Sequence, residues 1–211
     1  MIPNPYIIHM VSCKEREQTQ KHLEDAFATK IQVFPALEPG NNWFRTIRWT
    51  NMNSPTKWRI MKPGEIGCNL SHYTLYKSLI GCGVATIFED DAKVNNIRYF
   101  LAFMNAIKGK DDYDIILLGY SNILEGDVFE AERYRIVKSF WGTHAMILTE
   151  KARQCFMDEY DTMMEEDTCL PTDRLWSHCI KKYGLRTYAP LVPAVIYSNE
   201  FISLIDGVYK T

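Results

Sequence analysis

The stretch VATIFEDDAKV, residues 84 to 94, constrains the fold more than any other part of the chain. Five uncharged, mostly apolar residues run directly into Glu89, Asp90 and Asp91. An apolar run without alternation reads as a strand covered on both faces, the pattern of a parallel sheet in an α/β protein. The three carboxylates then stand at the carboxyl end of that strand. They repel one another, and nothing basic adjoins them before Lys93. Either they form a solvated acidic turn, or they await a positive partner.

The flanking sequence repeats the strand-then-helix rhythm. PYIIHMV reads as a first strand. Ser12 and Glu15 have capping-box spacing ahead of a helix that carries Leu23, Ala26 and Phe27 on one face. KIQVFPAL reads as a second strand. Residues 39–63 have poor periodicity and three tryptophans, which suggests a functional loop. From Gly64, the positions Ile66, Leu70, Tyr73, Lys77 and Ile80 predict a helix that GCG ends at 81–83. IRYFLAFMNAIK predicts another helix, and YDIILLGY another buried strand. YRIVKSF and HAMILT predict short strands around Trp141-Gly142. EKARQCFMDEYDTMMEE predicts a helix facing inward through Ala152, Phe156, Tyr160 and Met163. TDRLWSHCIKKYG predicts a last helix, with Thr172 as N-cap and Gly184 as C-cap. RTYAPLVPAVIYS reads as extended. The expected class is α/β with a mainly parallel central sheet flanked by helices, in a single domain over residues 1–211.

Composition excludes several functions. A net charge near −2 leaves no electrostatic footprint for nucleic acid. No apolar stretch approaches the roughly 18 residues of a transmembrane helix. MIPNPYIIHMVSC lacks the features of a signal peptide. Six cysteines without C-x-x-C or zinc-like spacing read as reduced thiols of a cytoplasmic protein, an extracellular disulfide set being the alternative.

Four stretches could carry chemistry. Glu89 and Asp91, at alternate positions of a strand end, can hold a hard divalent cation that also bridges phosphate oxygens. A receiver domain also ends a strand in paired acids, but its phosphoacceptor position in YDIILLGY is filled by Gly119. The turn HMVSCKERE offers a helix N-terminus with Lys14 and Arg16, an anion site or a plain helix start. In MKPGEIGCNLSHYTLYKSL, Glu65 and His72 share a helix face and Ser71 adjoins His72. In LPTDRLWSH, Asp173 lies in a first helical turn, where the dipole favours an ionised carboxylate fit for a general base or simply for capping. Trp176, one turn on, reads as a sugar platform or as core.

Together these stretches resemble glycosyltransferase family 25. MKPGEIGCNLSHYTLYKSL is similar to that family's G-E-I-G-C-x-x-S-H helix, VATIFEDDAKV to its acidic strand end, and YDIILLGY to the strand after it. WGTHAMILTEKARQCFM resembles its Gly-Thr strand and following helix, LPTD its late Asp, and YSNEFISLID the end of the module. The resemblance covers roughly residues 5 to 206. It implies a GT-A fold and inverting transfer of a hexose, galactose or glucose, from a UDP-sugar with Mn²⁺ or Mg²⁺. The acceptor would be a glycan, glycoprotein or glycolipid, and the enzyme cytoplasmic, peripheral to a membrane-bound acceptor. On that template Asp91 and Glu89 hold the metal, and Arg16, Glu89, Asp90, Ser71 and His72 belong to the nucleotide-sugar site. Asp173 is the catalytic base. A further metal ligand is expected near the C-terminus, yet nothing after His178 offers one except Asp206. A silent nucleotide-sugar-binding module and a nucleotide-sugar hydrolase are the competing functions.

Overall fold

The computed structural model describes residues 2–13, 16–37, 48–50, 58–129 and 133–197, with side chains given for all but 48–50 and 58. Strand β1 (Pro5–His9) leads into helix α1 (Glu17–Phe27) and β2 (Gln32–Pro35). Two short strands, β3 (Arg48–Thr50) and β4 (Trp58–Ile60), precede α2 (Pro63–Ser78). Next come β5 (Ala85–Glu89), β6 (Ala92–Val94), α3 (Ile97–Ala106) and β7 (Ile115–Gly119). An antiparallel pair follows, β8 (Asn122–Phe129) and β9 (Tyr134–Trp141), and then β10 (Ala145–Leu148) and α4 (Glu150–Glu165). The chain continues through β11 (Thr168–Cys169), α5 (Thr172–Tyr183), β12 (Thr187–Pro190) and β13 (Val195–Tyr197).

The main sheet has the order β2-β1-β5-β10-β7-β12-β9-β8, and β13 and β6 join it beside β7. β2, β1, β5, β7 and β12 all run the same way, while β10 lies antiparallel between β5 and β7. The central strands are apolar at successive positions because both faces are covered. Ala85 and Ile87 of β5, with Ile115 and Leu117 of β7, pack on one side with α2, α4 and α5. Phe88, Ile116 and Leu118 pack on the other side with α1 and α3. The expected α/β architecture with a mostly parallel sheet is the observed one. No described helix is long and apolar enough to cross a membrane.

Several local expectations change. Helix α1 begins at Glu17 with Arg16 at its cap; Ser12 lies in the preceding turn, and Lys14 and Glu15 fall outside the described residues. Pro171, rather than Thr172, caps α5, because the Thr172 hydroxyl turns inward to Asn69 Oδ1 at 2.6 Å. Gly184 is the C-cap as expected. The inner face of α2 is also rotated from the apolar reading. Lys77 and Ile80 are exposed, whereas Asn69, Ser71, His72, Leu75 and Tyr76 are buried. Hydrogen-bonding partners allow those polar groups to be buried. Asn69 Nδ2 donates to Leu170 O at 2.7 Å, and the Ser71 hydroxyl donates to Gly67 O at 2.7 Å. In the stretch 39–63, β3 and β4 join β11 in a second, three-stranded sheet. Residues 38–47 and 51–57, and the side chains of Trp49 and Trp58, lie outside the described set.

Candidate active site

The acidic triplet comprises the last residue of β5, Glu89, and the turn to β6, Asp90 and Asp91, at the carboxyl end of the parallel strands. Its three members face different ways. Asp90 is buried and tied to the first turn: the Arg16 guanidinium pairs with Oδ1, and the Met10 N–H donates to Oδ2 at 2.8 Å. His9 Nδ1 is 3.6 Å from the same Oδ2. Arg16 and Asp90, both assigned by the resemblance to the nucleotide site, therefore join β5 to the start of α1.

Glu89 and Asp91, the outer pair, turn toward β10. His144 immediately precedes β10, and its Nδ1 lies 3.7 Å from Glu89 Oε2 and 3.9 Å from Asp91 Oδ1. The ligand atoms of Glu89, Asp91 and His144 all lie within 4.8 Å of one another, so the three could hold one metal ion. Asp91 Oδ1 and His144 Nδ1 are buried and make no hydrogen bond. Burial, and then repulsion from Glu89, push the Asp91 carboxyl up to about 6. Burial alone would raise Glu89 as well, but His144 and His72 outweigh it and hold that carboxyl well below the usual range. His144 is raised, because Glu89 and Asp91 overcome a burial effect of opposite sign.

The sequence reading missed His144. The further ligand expected near the C-terminus is not His178, which pairs with Glu159 at 2.7 Å, and Asp206 lies outside the described residues. The antiparallel β5–β10 pairing places His144, as the Glu89 N–H donates to His144 O at 3.0 Å. The β10–β7 ladder shifts register between Ala145 and Met146, opposite Gly119. A Cβ on Gly119 would stand 3.0 Å from Ala145 N and 3.1 Å from His144 Cβ. Glycine at this strand end therefore lets the backbone carrying His144 approach closely.

Three consecutive residues join the cluster to Asp173. The Gly142 N–H donates to Asp173 Oδ2 at 3.2 Å, the Thr143 hydroxyl donates to Glu89 Oε1, and His144 completes the acidic pair. Gly142 has φ +84°, and a Cβ there would meet His144 Nε2 and Ser121 Oγ at 2.7 Å. Only glycine fits both the left-handed backbone and that gap. Ser121 Oγ lies 3.0 Å from His144 Nε2, which leaves Nδ1 directed at the acids. Asp173, in the first turn of α5, also accepts the Arg174 N–H at 2.7 Å. The expected ionising effect of the helix start is offset: burial raises the Asp173 carboxyl above its ordinary value despite these two donors.

His72 reaches Glu89, whereas Ser71 bonds to Leu37 and to its own helix. The Ser71 hydroxyl accepts the Leu37 N–H at 2.8 Å, and His72 has no exposure. His72 Nδ1 meets the Tyr76 hydroxyl at 2.7 Å, and Nε2 lies 3.3 Å from Glu89 Oε1. Glu65 binds Arg59 and the Lys62 N–H, with no bond toward His72. Trp176 is fully buried against Tyr76 and Phe156, so it is core and not a sugar platform. Two exposed aromatics border the site among the described residues: Trp141, next to Gly142 and with the Arg174 guanidinium 4.9 Å from its ring centre, and Tyr197, whose ring centre lies 5.4 Å from that of His144.

A family model described as glycosyltransferase family 25 (LPS biosynthesis protein) matches residues 2–176. The chain belongs to glycosyltransferase family 25. A glycosyltransferase 25 family member of Drosophila pseudoobscura pseudoobscura is 28% identical over 132 residues, covering 57% of this chain and 21% of that protein. The probable inactive glycosyltransferase 25 family member 3 of Rattus norvegicus is 32% identical over 74 residues, covering 33% and 13%. This family 25 chain thus spans about a fifth of the fly relative's length, and less of the rat one. A solved glycosyltransferase involved in glycosylating the major capsid of PBCV-1 shares the fold, with TM-score 0.51, 8% identity and 95% of each chain covered.

Proposed function

We propose that this chain transfers a hexose, galactose or glucose, from a UDP-sugar to a hydroxyl of a glycan or of a glycosylated protein or lipid. The transfer is metal-dependent and inverts the anomeric centre. One observation carries the reading: Gly142, Thr143 and His144 tie a carboxylate–imidazole cluster and a separate carboxylate, Asp173, into one site.

The donor set fits a divalent ion. Two carboxylates and an imidazole suit Mn²⁺ or Mg²⁺, and the buried Asp91 Oδ1 and His144 Nδ1 have no hydrogen bond to satisfy them. Asp91, Glu89 and His144 would hold the ion, which when bound would offset diphosphate charge as UDP departs. Thr143 and His72 fix Glu89 from one side, and Ser121 fixes the His144 ring. Arg16 and Asp90 hold the acidic turn against β1.

Asp173 serves as the base. It takes the proton of the acceptor hydroxyl as that oxygen bonds to the anomeric carbon and the bond to the UDP oxygen breaks. Its raised pKa makes it a stronger base than an ordinary aspartate, while the Gly142 and Arg174 N–H groups aim it. Trp141 offers an exposed ring beside that carboxylate for an acceptor sugar.

A second reading, a silent nucleotide-sugar-binding module, is favoured by the rat relative whose name includes "probable inactive". A panel of UDP-sugars incubated with Mn²⁺ and acceptor glycans separates the readings by UDP release. Transfer predicts release that depends on an acceptor. Tight UDP binding without release from any donor supports the silent module, and release undiminished without acceptor supports a hydrolase.

A further inference from the structure

The GEIGC segment contributes a residue that the proposed transfer reaction does not use. Cys68 lies on α2 one turn before His72, and both point at the underside of Glu89. Cys68 Sγ is 4.0 Å from Glu89 Oε1, and His72 Nε2 is 3.3 Å from the same oxygen. The three ligand atoms all lie within 4.8 Å of one another. A tetrahedral zinc ion, at about 2.0 Å from nitrogen or oxygen and about 2.3 Å from sulfur, holds its ligand atoms roughly 3.3–3.8 Å apart. The two distances to Glu89 Oε1 lie within a few tenths of an ångström of that range, and the sulfur and the imidazole, within 4.8 Å of one another, would close by at most about 1.5 Å.

The surroundings are those of an oriented ligand set. The Tyr76 hydroxyl holds His72 Nδ1 at 2.7 Å, fixing the ring with Nε2 toward Glu89. The Thr172 hydroxyl lies 3.1 Å from Cys68 Sγ. Glu89 faces both ways: Oε1, which also accepts the Thr143 hydroxyl, toward Cys68 and His72, and Oε2 toward His144. The two ligand sets differ in chemistry. Glu89, Asp91 and His144 are mainly oxygen donors, whereas Cys68 and His72 supply the sulfur and nitrogen preferred by softer ions.

We propose that Cys68, His72 and Glu89 form a second cation site, selective for a thiophilic divalent ion such as Zn²⁺. Its occupation inhibits transfer by engaging Glu89. Binding releases the thiol proton and forms a sulfur–metal bond, with no redox change. The inhibitory consequence rests on the proposed transferase function; the site itself does not.

Cobalt(II) titration followed by near-ultraviolet absorption tests the site without any enzyme assay. Intact protein and the Asp91→Asn variant should both show thiolate-to-cobalt charge-transfer absorption that saturates at about one ion per chain and is displaced by Zn²⁺. Cys68→Ser and Cys68→Ala should show none. Intact protein without the band, or both Cys68 variants with it, overturns the proposal. In Mn²⁺-supported UDP release, Cys68→Ser should need roughly tenfold more Zn²⁺ or more for the same fractional inhibition. Equal sensitivity in Cys68→Ser would overturn the inhibitory role while leaving the site to the cobalt measurement.

Discussion

Glu89 and His144 meet twice across the β5–β10 ladder, through a backbone hydrogen bond of 3.0 Å and a carboxylate–imidazole approach of 3.7 Å. The backbone contact fixes the strand ends, so the side-chain approach follows from sheet register and not from a flexible loop. His144→Ala should therefore weaken Mn²⁺ binding by at least about tenfold with little change in fold. Ser121→Ala, which frees the other ring nitrogen, should cost about tenfold. Manganese titration with electron paramagnetic resonance detection of the free ion checks both; unchanged affinity in His144→Ala would remove it from the ligand set.

Gly142→Ala should be disproportionately harmful for one methyl group. The left-handed backbone alone costs about 1–2 kcal/mol for an L-residue. The methyl would also displace the Ser121–His144 contact and the N–H that aims Asp173. Turnover should fall by more than Mn²⁺ affinity does, as read from kcat beside the metal titration.

Asp90→Ala should act on stability. It leaves the buried Arg16 guanidinium without this carboxylate and the Met10 N–H without its acceptor. Breaking one side of a buried pair costs about 3–5 kcal/mol. Urea denaturation should show that loss, whereas an unchanged midpoint would mean the pair does not secure the turn.

The pH profile of transfer should carry the mark of Asp173. A base works deprotonated, so activity is lost as pH falls through its pKa, which burial raises above the ordinary value of about 3.9. At saturating Mn²⁺, where the bound ion would keep Asp91 ionised, the acid limb of kcat/KM should lie above that value. Asp173→Asn should abolish transfer while retaining UDP-sugar binding. Loss of binding instead would make Asp173 a donor-site residue.

Trp141→Ala should raise the acceptor KM and leave donor binding unchanged, since the ring is exposed beside the proposed base. Trp176→Phe, within the core, should alter stability and neither KM.

The centre of the sheet was legible because β5 and β7 are runs of buried, almost wholly apolar residues. VATIF and YDIILLGY admit little besides buried strands; β7 lies within the second, and β5 lies in the first and runs one residue on, to Glu89. Strand β8 was not legible: it lies at the sheet edge, mostly exposed, and lacks both a buried run and clean alternation. Gly126 within it looks like a turn signal, yet a Cβ there would stand 2.3 Å from Ile136 O, so glycine marks a close strand approach. Glu89, Asp91 and Asp173 could be chosen from local pattern because charge at a strand end or helix start is a local property. His144 could not, because it depends on an antiparallel strand inserted between two parallel ones. The same limit hid the division of labour in the triplet, where Asp90 turns back to Arg16 while its neighbours face His144.

If Glu89, Asp91 and His144 hold a divalent ion, nucleotide binding should depend on it. Calorimetric titration of UDP into the intact protein and the Asp91→Asn variant, each with and without Mn²⁺, tests it most directly. UDP should bind only to the intact protein, and only in the presence of Mn²⁺. Equal UDP affinity without the metal, or in the variant, would contradict it.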